Sequence, residues 1–465
     1  MAHMENGGLY CEKAYLPSGW ATNVVIEFAP GGEITVIRPA SPGDDFPRAA
    51  GPVLPGLPNL HSHAFQRAMA GLTERAGPDG DDFWSWRQAV YRFVPRLTPD
   101  DVEAIAAQLY VDLLKGGYTA VGEFHYLHHA SDGSSYDDPA EMAYRIAAAG
   151  ERSGIGLTLL PVLYAQGGFG GVASEAGQRR YVSDRETYCR IVENIAEVSK
   201  AGRRFHFGIA PHSLRAVGPE AMAEAVSLVD GLDAHAPIHI HIAEQMREVE
   251  ECVAWSGARP VEWLLENADV EARWCLVHAT HMTAKETSDM AACGAVAGLC
   301  PTTEADLGDG IFPAVEYLAA GGRFGVGTDS HVAVEAAEEL RLLEFGQRLL
   351  HRRRNLMLPA GSQSTGAALY DMAGAGGAQA LGRSIGRIEL GARADLVVLD
   401  GAAPLLAGKT SDAIHDSYVF SGGSELVRDV YVGGKRMIAD GHHRHEDDIG
   451  ASFVSVMERL LADED

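Results

Sequence analysis

Between residues 53 and 328 the chain repeats one unit: a short apolar, β-branched run, a polar turn, then a stretch with helical spacing. The runs fall at 53–61, 119–124, 157–163, 205–209, 237–242, 275–280, 295–300 and 324–328. Strands separated by helices must pair in parallel, because each return crossover needs the length of a helix. Eight such units predict a closed TIM-type (β/α)8 barrel, with an open doubly wound sheet as the alternative on pattern alone. The helical stretches carry their own punctuation. In 99–115, Thr98 is placed to cap, Pro99 fits the first turn, Asp100 and Asp101 favour the dipole, and Gly116 ends the helix. Further helices are expected at 139–152, 186–200, 219–229, 259–267, 284–292 and 334–350.

The two ends read differently. Residues 1–52 and 390–465 hold short strands and Gly turns, with almost no helical periodicity before 453–461, which predicts a terminal helix. The expected organisation is a catalytic barrel over 53–389 and a small β-sandwich domain assembled from both termini. Met1 to Met4 reads as a cloning remnant, and the Gly-rich stretch 374–377 as a loop or helix punctuation.

Composition excludes several function classes. A formal charge of −26 over 465 residues leaves no basic face for nucleic acid or an anionic membrane. Six cysteines without a CxxC pair are too sparse for a disulfide scaffold and predict free, mostly buried thiols in a reduced cytoplasm. No apolar run approaches the roughly 18 residues of a membrane span, and the N-terminus lacks the order of an export signal.

In a barrel, polar residues at the C-terminal ends of strands converge on one site. The first run ends Asn59-Leu60-His61-Ser62-His63, whose period-two geometry puts both imidazoles on one face. An HxH alone is weak. The fifth run supplies His239-Ile240-His241-Ile242-Ala243-Glu244, the sixth Val277-His278-Ala279-Thr280-His281 and the eighth Gly327-Thr328-Asp329-Ser330, and coincidence at four strand ends is hard to sustain. Imidazole and carboxylate suit Zn²⁺, so His61, His63, His241 and Asp329 are the expected ligands of one ion, with Ni²⁺ or Fe²⁺ open by ligand type. His239 lies one layer deeper and reads as a core imidazole with a hydrogen-bond partner. A bound zinc lowers the pKa of water to roughly 7, which points to hydrolysis. Asp329 and His278 are placed to take or orient the proton, and Glu244 to carry it to a leaving nitrogen.

Other runs weigh less. His351-Arg352-Arg353-Arg354 reads as a helix end, His442, His443 and His445 as a surface loop, and Cys300 as a packed thiol. Neither a GxxxxGK[ST] loop nor a GxGxxG after a strand is present.

The block Pro55-Gly56-Leu57-Pro58-Asn59-Leu60-His61-Ser62-His63-Ala64-Phe65-Gln66-Arg67 resembles the first-strand motif of the amidohydrolase superfamily in its formiminoglutamate deiminase form. Phe83-Trp84-Ser85-Trp86-Arg87, the block from Glu123 to His129, Ala210-Pro211-His212-Ser213-Leu214-Arg215-Ala216-Val217, and the blocks from Cys300 to Phe312 and Gly325 to His331 continue the resemblance in order and spacing. Many relatives in the superfamily hold a second metal through a lysine on the fourth strand. The corresponding turn here has none, which favours a single ion.

The resemblance implies hydrolysis of N-formimino-L-glutamate to N-formyl-L-glutamate and ammonia, a step of histidine degradation. It also implies that Gln66, Tyr126, His212 and Arg215 hold the glutamate moiety, with Arg87 reaching over from a neighbouring subunit of a homodimer. Arginine fits that task because its planar fork binds a carboxylate bidentately. A deaminase of a purine, pyrimidine or related heterocycle is the nearest alternative and calls for stacking surfaces instead. A non-catalytic binding relative would show a broken ligand set, and this one is complete.

Overall fold

A computed structural model describes residues 7–75, 81–202 and 205–462; Met1 to Met4 lie outside the described residues. Strands β1 (Gly7–Leu16), β2 (Gly19–Phe28), β3 (Ile34–Pro39) and β4 (Val53–Pro55) come first. Then follow β5 (Leu57–Ser62), β6 (Tyr118–His125), β7 (Gly156–Leu163), β8 (Phe205–Phe207), β9 (Ala210–Pro211), β10 (Ile238–Ile242), β11 (Trp274–His278), β12 (Val296–Leu299) and β13 (Arg323–Val326). The last four are β14 (Leu396–Leu399), β15 (Val427–Val432), β16 (Lys435–Ala439) and β17 (His442–His443).

β5 to β8 pair in parallel as one arc, and β10 to β13 as a second. Single parallel bridges close the ring: Ser62 to Asp329 on one side, Ile209 to Ile238 and Ser213 to His241 on the other. The result is the expected eight-stranded barrel, its fourth position shared by β8 and β9. Its strands are buried along nearly their whole length, which is why they read as continuous apolar runs rather than alternating ones.

The helix Pro99–Lys115 has the anticipated start, with Asp101 N–H donating to Thr98 Oγ1 at 3.3 Å and Thr98 N–H to Asp101 Oδ2 at 2.7 Å. The 374–377 glycines do not interrupt a helix; they lie inside Thr365–Ala380 and let it settle on the barrel. A Cβ on Gly376 would lie 1.9 Å from Phe324 O, so only glycine permits that approach.

The strands from both termini form one eight-stranded sheet, ordered β17-β16-β15-β14-β4-β1-β2-β3. Leu396 and Val398 join Leu9, Val24, Ile26 and Val53 in a separate core, while Val397 and Leu399 face the main one. The apolar run 53–61 is thus two strands: β4 pairs antiparallel with β14, and after Gly56 the chain enters the barrel as β5. Two further expectations are corrected. Ala413–Phe420 is a helix within the stretch read as lacking them, and His443 is buried, its Nε2 donating to Ser153 O at 2.9 Å. His239 behaves as anticipated, fully buried and donating to Ala380 O at 2.8 Å. The cysteines are all free, and no described helix is long and apolar enough to cross a membrane.

Candidate active site

The barrel brings His61 and His63 from the end of β5, His241 from β10, His278 from β11 and Asp329 from beyond β13 into one buried cluster. Backbone pairing locks the two outermost ligand segments together, with His63 N–H donating to Asp329 O and Asp329 N–H to His61 O, both at 3.1 Å. Asp329 Oδ1 lies 3.5 Å from His61 Nε2 and 3.2 Å from His63 Nε2, and Asp329 Oδ2 lies 3.6 Å from His278 Nε2. Burial opposes ionisation of Asp329, yet His61, His63 and His278 outweigh it and hold the carboxyl well below the usual range.

The donor set fits a metal ion on an observation internal to the protein. His63 Nδ1–H donates to Phe124 O at 2.9 Å and His241 Nδ1–H to His212 O at 3.1 Å. Those bonds fix the tautomers and leave each Nε2 as a lone pair aimed inward. His241 Nε2 and His61 Nε2 then face each other at 3.0 Å, while burial lowers the pKa of both imidazoles. A cation between them would take both lone pairs, and the buried Nδ1 of His61, which has no partner, leaves that ring free to present its Nε2 lone pair as well. Donor atoms of His61, His63 and Asp329, and those of His61, His241 and His278, each fall within 4.8 Å of one another.

Glu244 follows His241 at the strand exit and is buried; its Oε1 lies 3.8 Å from His278 Nε2. Glu248 fixes the turn by accepting from Ala243 N–H at 3.2 Å and Glu244 N–H at 3.1 Å. Burial, helped by Asp329 and Glu248, pushes the Glu244 carboxyl up to about 7. Burial works the other way on His278, but Glu244, Glu304 and Asp329 together push it up to about 10. Both directions favour a proton shared between Glu244 and His278, beside the candidate metal ligands. Strain is concentrated here too: of the ten non-glycine residues with positive φ among those described, five (Ala243, His278, Ala279, Asp329 and His331) sit at these strand ends.

Beside the cluster lies a narrow cavity of about 70 Å³, lined by Glu244, His278 and Asp329 and by all five residues expected to hold substrate: Gln66, Arg87, Tyr126, His212 and Arg215. Gln66 Nε2 donates to Tyr126 OH at 2.8 Å, and Gln66 Oε1 is left without a partner. Arg87 Nε and Arg215 Nε are likewise buried donors with no protein acceptor. Both guanidinium groups stack on Trp84, at 4.6 and 5.5 Å from the ring centroid. The sequence reading has Arg87 arrive from a neighbouring subunit; in the chain described here it lines its own pocket, because the helix Phe83–Phe93 folds back over the barrel mouth. A larger cavity of about 830 Å³ opens at the strands' N-terminal ends, around Gly154, Phe205 and Pro237, and contains none of these residues. Chemistry in barrels belongs to the other end.

Sequence reasoning missed four buried groups: Glu248, Glu304, Glu123 and His331. Glu123 Oε1 accepts from Ala64 N–H at 2.7 Å and Oε2 from Ser62 Oγ at 2.5 Å, which anchors the loop leaving His63. His331 contacts Ser62 Oγ and Thr328 Oγ1 at 3.1 and 2.8 Å. For Glu304, Glu123 and His331 the one available signal is their place in blocks quoted above for resemblance alone; Glu248 lies outside those blocks.

The amidohydrolase family model matches residues 53–437, and the chain belongs to that family. A formimidoylglutamate deiminase of Pseudomonas aeruginosa is 53% identical over 454 residues, covering 97% of this chain and 99% of its own length. Within the family the chain therefore falls with the formimidoylglutamate deiminases. A crystal structure of an amidohydrolase from Brucella melitensis superposes with a TM-score of 0.91 at 49% identity, covering 98% of this chain and 100% of that one. A 5-methylthioadenosine/S-adenosylhomocysteine deaminase of Natronomonas pharaonis is more distant, 29% identical over 88% of this chain and 86% of its own.

Proposed function

We propose that the protein hydrolyses N-formimino-L-glutamate to N-formyl-L-glutamate and ammonia, as a zinc-dependent deiminase. The observation that carries this reading is the pair of unpartnered guanidinium donors, Arg87 Nε and Arg215 Nε, buried beside the metal-ligand cluster. A buried donor left unsatisfied costs stability, so its presence in a cavity implies a ligand that completes it. A linear amidine with two carboxylates supplies acceptors for both arginines and a reactive carbon at the metal. Gln66 Oε1, Tyr126 and His212 line the same space and are assigned to the glutamate moiety. The 53% identity to a formimidoylglutamate deiminase supports the same substrate.

Three imidazoles and one carboxylate suit zinc. When bound by His61, His63, His241 and Asp329, the ion supplies a Lewis acid and brings water into the pKa range where it attacks at neutral pH. The residues do the rest. Asp329 and His278 flank the attack position and receive or hold the proton released there. His278 also stabilises charge on the tetrahedral carbon centre. Glu244, whose carboxyl titrates near neutrality, protonates the departing nitrogen, so that ammonia leaves and the formyl group stays on glutamate.

The finer setting belongs to the same proposal: a homodimer working in histidine degradation in the cytoplasm, where six free cysteines stay reduced. Sedimentation tests the dimer. Mixing Arg87→Ala with Glu244→Gln protein tests the route of Arg87: recovered activity assigns it to a neighbour, none to its own chain.

Product analysis tests the reaction itself. N-formyl-L-glutamate and ammonia in equal amounts support it, whereas formamide and glutamate would show that the other carbon–nitrogen bond breaks.

A further inference from the structure

His278 is held from behind as well as facing the pocket. Its Nδ1 lies 3.2 Å from Glu304 Oε1, and its Nε2 faces Glu244 and Asp329 at 3.8 and 3.6 Å. A carboxylate only accepts, so Nδ1 carries a hydrogen whether the ring is neutral or charged, and Nε2 is the nitrogen whose proton can come and go. The imidazole needs such a restraint, because His278 and Ala279 have φ of 67° and 48°, a conformation that non-glycine residues adopt at a cost.

Glu304 is itself rigidly mounted. It lies on the short helix Pro301–Asp306 after β12, and its Oε1 also accepts from Cys300 N–H at 2.9 Å. The two preceding residues are tied down. Thr302 donates to Glu339 through N–H at 2.9 Å and through Oγ1 at 2.5 Å, while Thr303 Oγ1 reaches Thr328 O at 3.2 Å and Ser330 Oγ at 3.0 Å. The carboxylate is thereby fixed to the segment that carries Asp329, so the imidazole and the ligand loop are registered against each other.

We propose that Glu304 is a positioning residue: it holds the Nδ1–H and with it the aim of His278 across the pocket, without touching substrate. The inference rests on the deiminase reading for its kinetic arm and on geometry alone for its spectroscopic one. Glu304→Gln keeps the size and one acceptor oxygen but loses the charge and the obligate acceptor character. In zinc-loaded protein the kcat for N-formimino-L-glutamate is expected to fall about 10²-fold. KM should stay within about threefold, with zinc content and melting temperature unchanged. In a His278→Ala background the same substitution is expected to cost nothing further, because its effect passes through that ring.

Nitrogen-15 histidine spectra provide the second arm. A downfield Nδ1–H signal that vanishes in His278→Ala identifies this hydrogen bond, and in Glu304→Gln, which lacks the charged acceptor, it should move upfield. A wild-type kcat in Glu304→Gln, an additive loss in the double variant, a loss tracking zinc or melting temperature, or an unshifted Nδ1–H signal would each overturn the proposal. Silence of the wild-type enzyme on the formimino compound would instead refute the substrate reading, and the spectra would still decide the role of Glu304.

Discussion

His61 Nε2 and His241 Nε2 point at each other across 3.0 Å in the barrel mouth, each from a ring that burial keeps neutral. Their second nitrogens differ: that of His241 is committed to a backbone carbonyl, and that of His61 is buried without a partner. A pair so aimed, with Asp329 and His63 beside it, fits a bound cation. Replacement of His241 or Asp329 by Ala is expected to weaken metal binding by more than the roughly 10–100-fold typical of outer-shell changes. Metal analysis after dialysis checks this, and chelation followed by zinc should remove and restore activity together.

Glu244 is placed to protonate the leaving nitrogen. Glu244→Gln preserves shape and removes the proton, so kcat should drop by about 10²- to 10⁴-fold while metal content holds. Steady-state kinetics on metal-analysed protein decides it, and full turnover by that variant removes Glu244 from the mechanism.

Arg215 and Arg87 have buried donors without a partner, which the proposed function assigns to substrate carboxylates. Hydrogen bonds to charged groups are worth about 1.5–3 kcal/mol, so either Ala variant should lose roughly 10- to 100-fold in kcat/KM, mainly through KM. An unchanged KM in Arg87→Ala would exclude it from binding.

The helix Thr365–Ala380 provides a stability test with a definite sign. In an exposed helix Gly→Ala stabilises by about 1 kcal/mol. At Gly376 the added carbon would meet Phe324 O at 1.9 Å, so Gly376→Ala should destabilise, by roughly 1–3 kcal/mol or more. Urea denaturation gives the sign directly.

The barrel was legible because each strand is short, apolar and followed by a helix, and the convergence of His61, His63, His241, His278 and Asp329 because they recur at strand ends. The split at Gly56 was not: Pro55-Gly56 marks a break, but β4 and β5 are both buried, and nothing local says that they belong to different sheets. Glu248 stands four residues from Glu244 on the helix Met246–Ser256, where a solvated face looks the same as a brace for the turn. Glu304 was hidden for a related reason: its meaning depends on His278, which the barrel brings within 3.2 Å across 26 residues of sequence. The side on which Arg87 enters depends on how the helix Phe83–Phe93 crosses the barrel mouth, which no local pattern records.

The most direct test of the account is kcat/KM for ammonia release from N-formimino-L-glutamate by zinc-loaded protein, beside adenosine, guanine and cytosine. The account predicts rapid release from the formimino compound with about one zinc per chain and little from the bases. Rapid release from a base with silence on N-formimino-L-glutamate would keep the barrel and its metal cluster but contradict the substrate assignment.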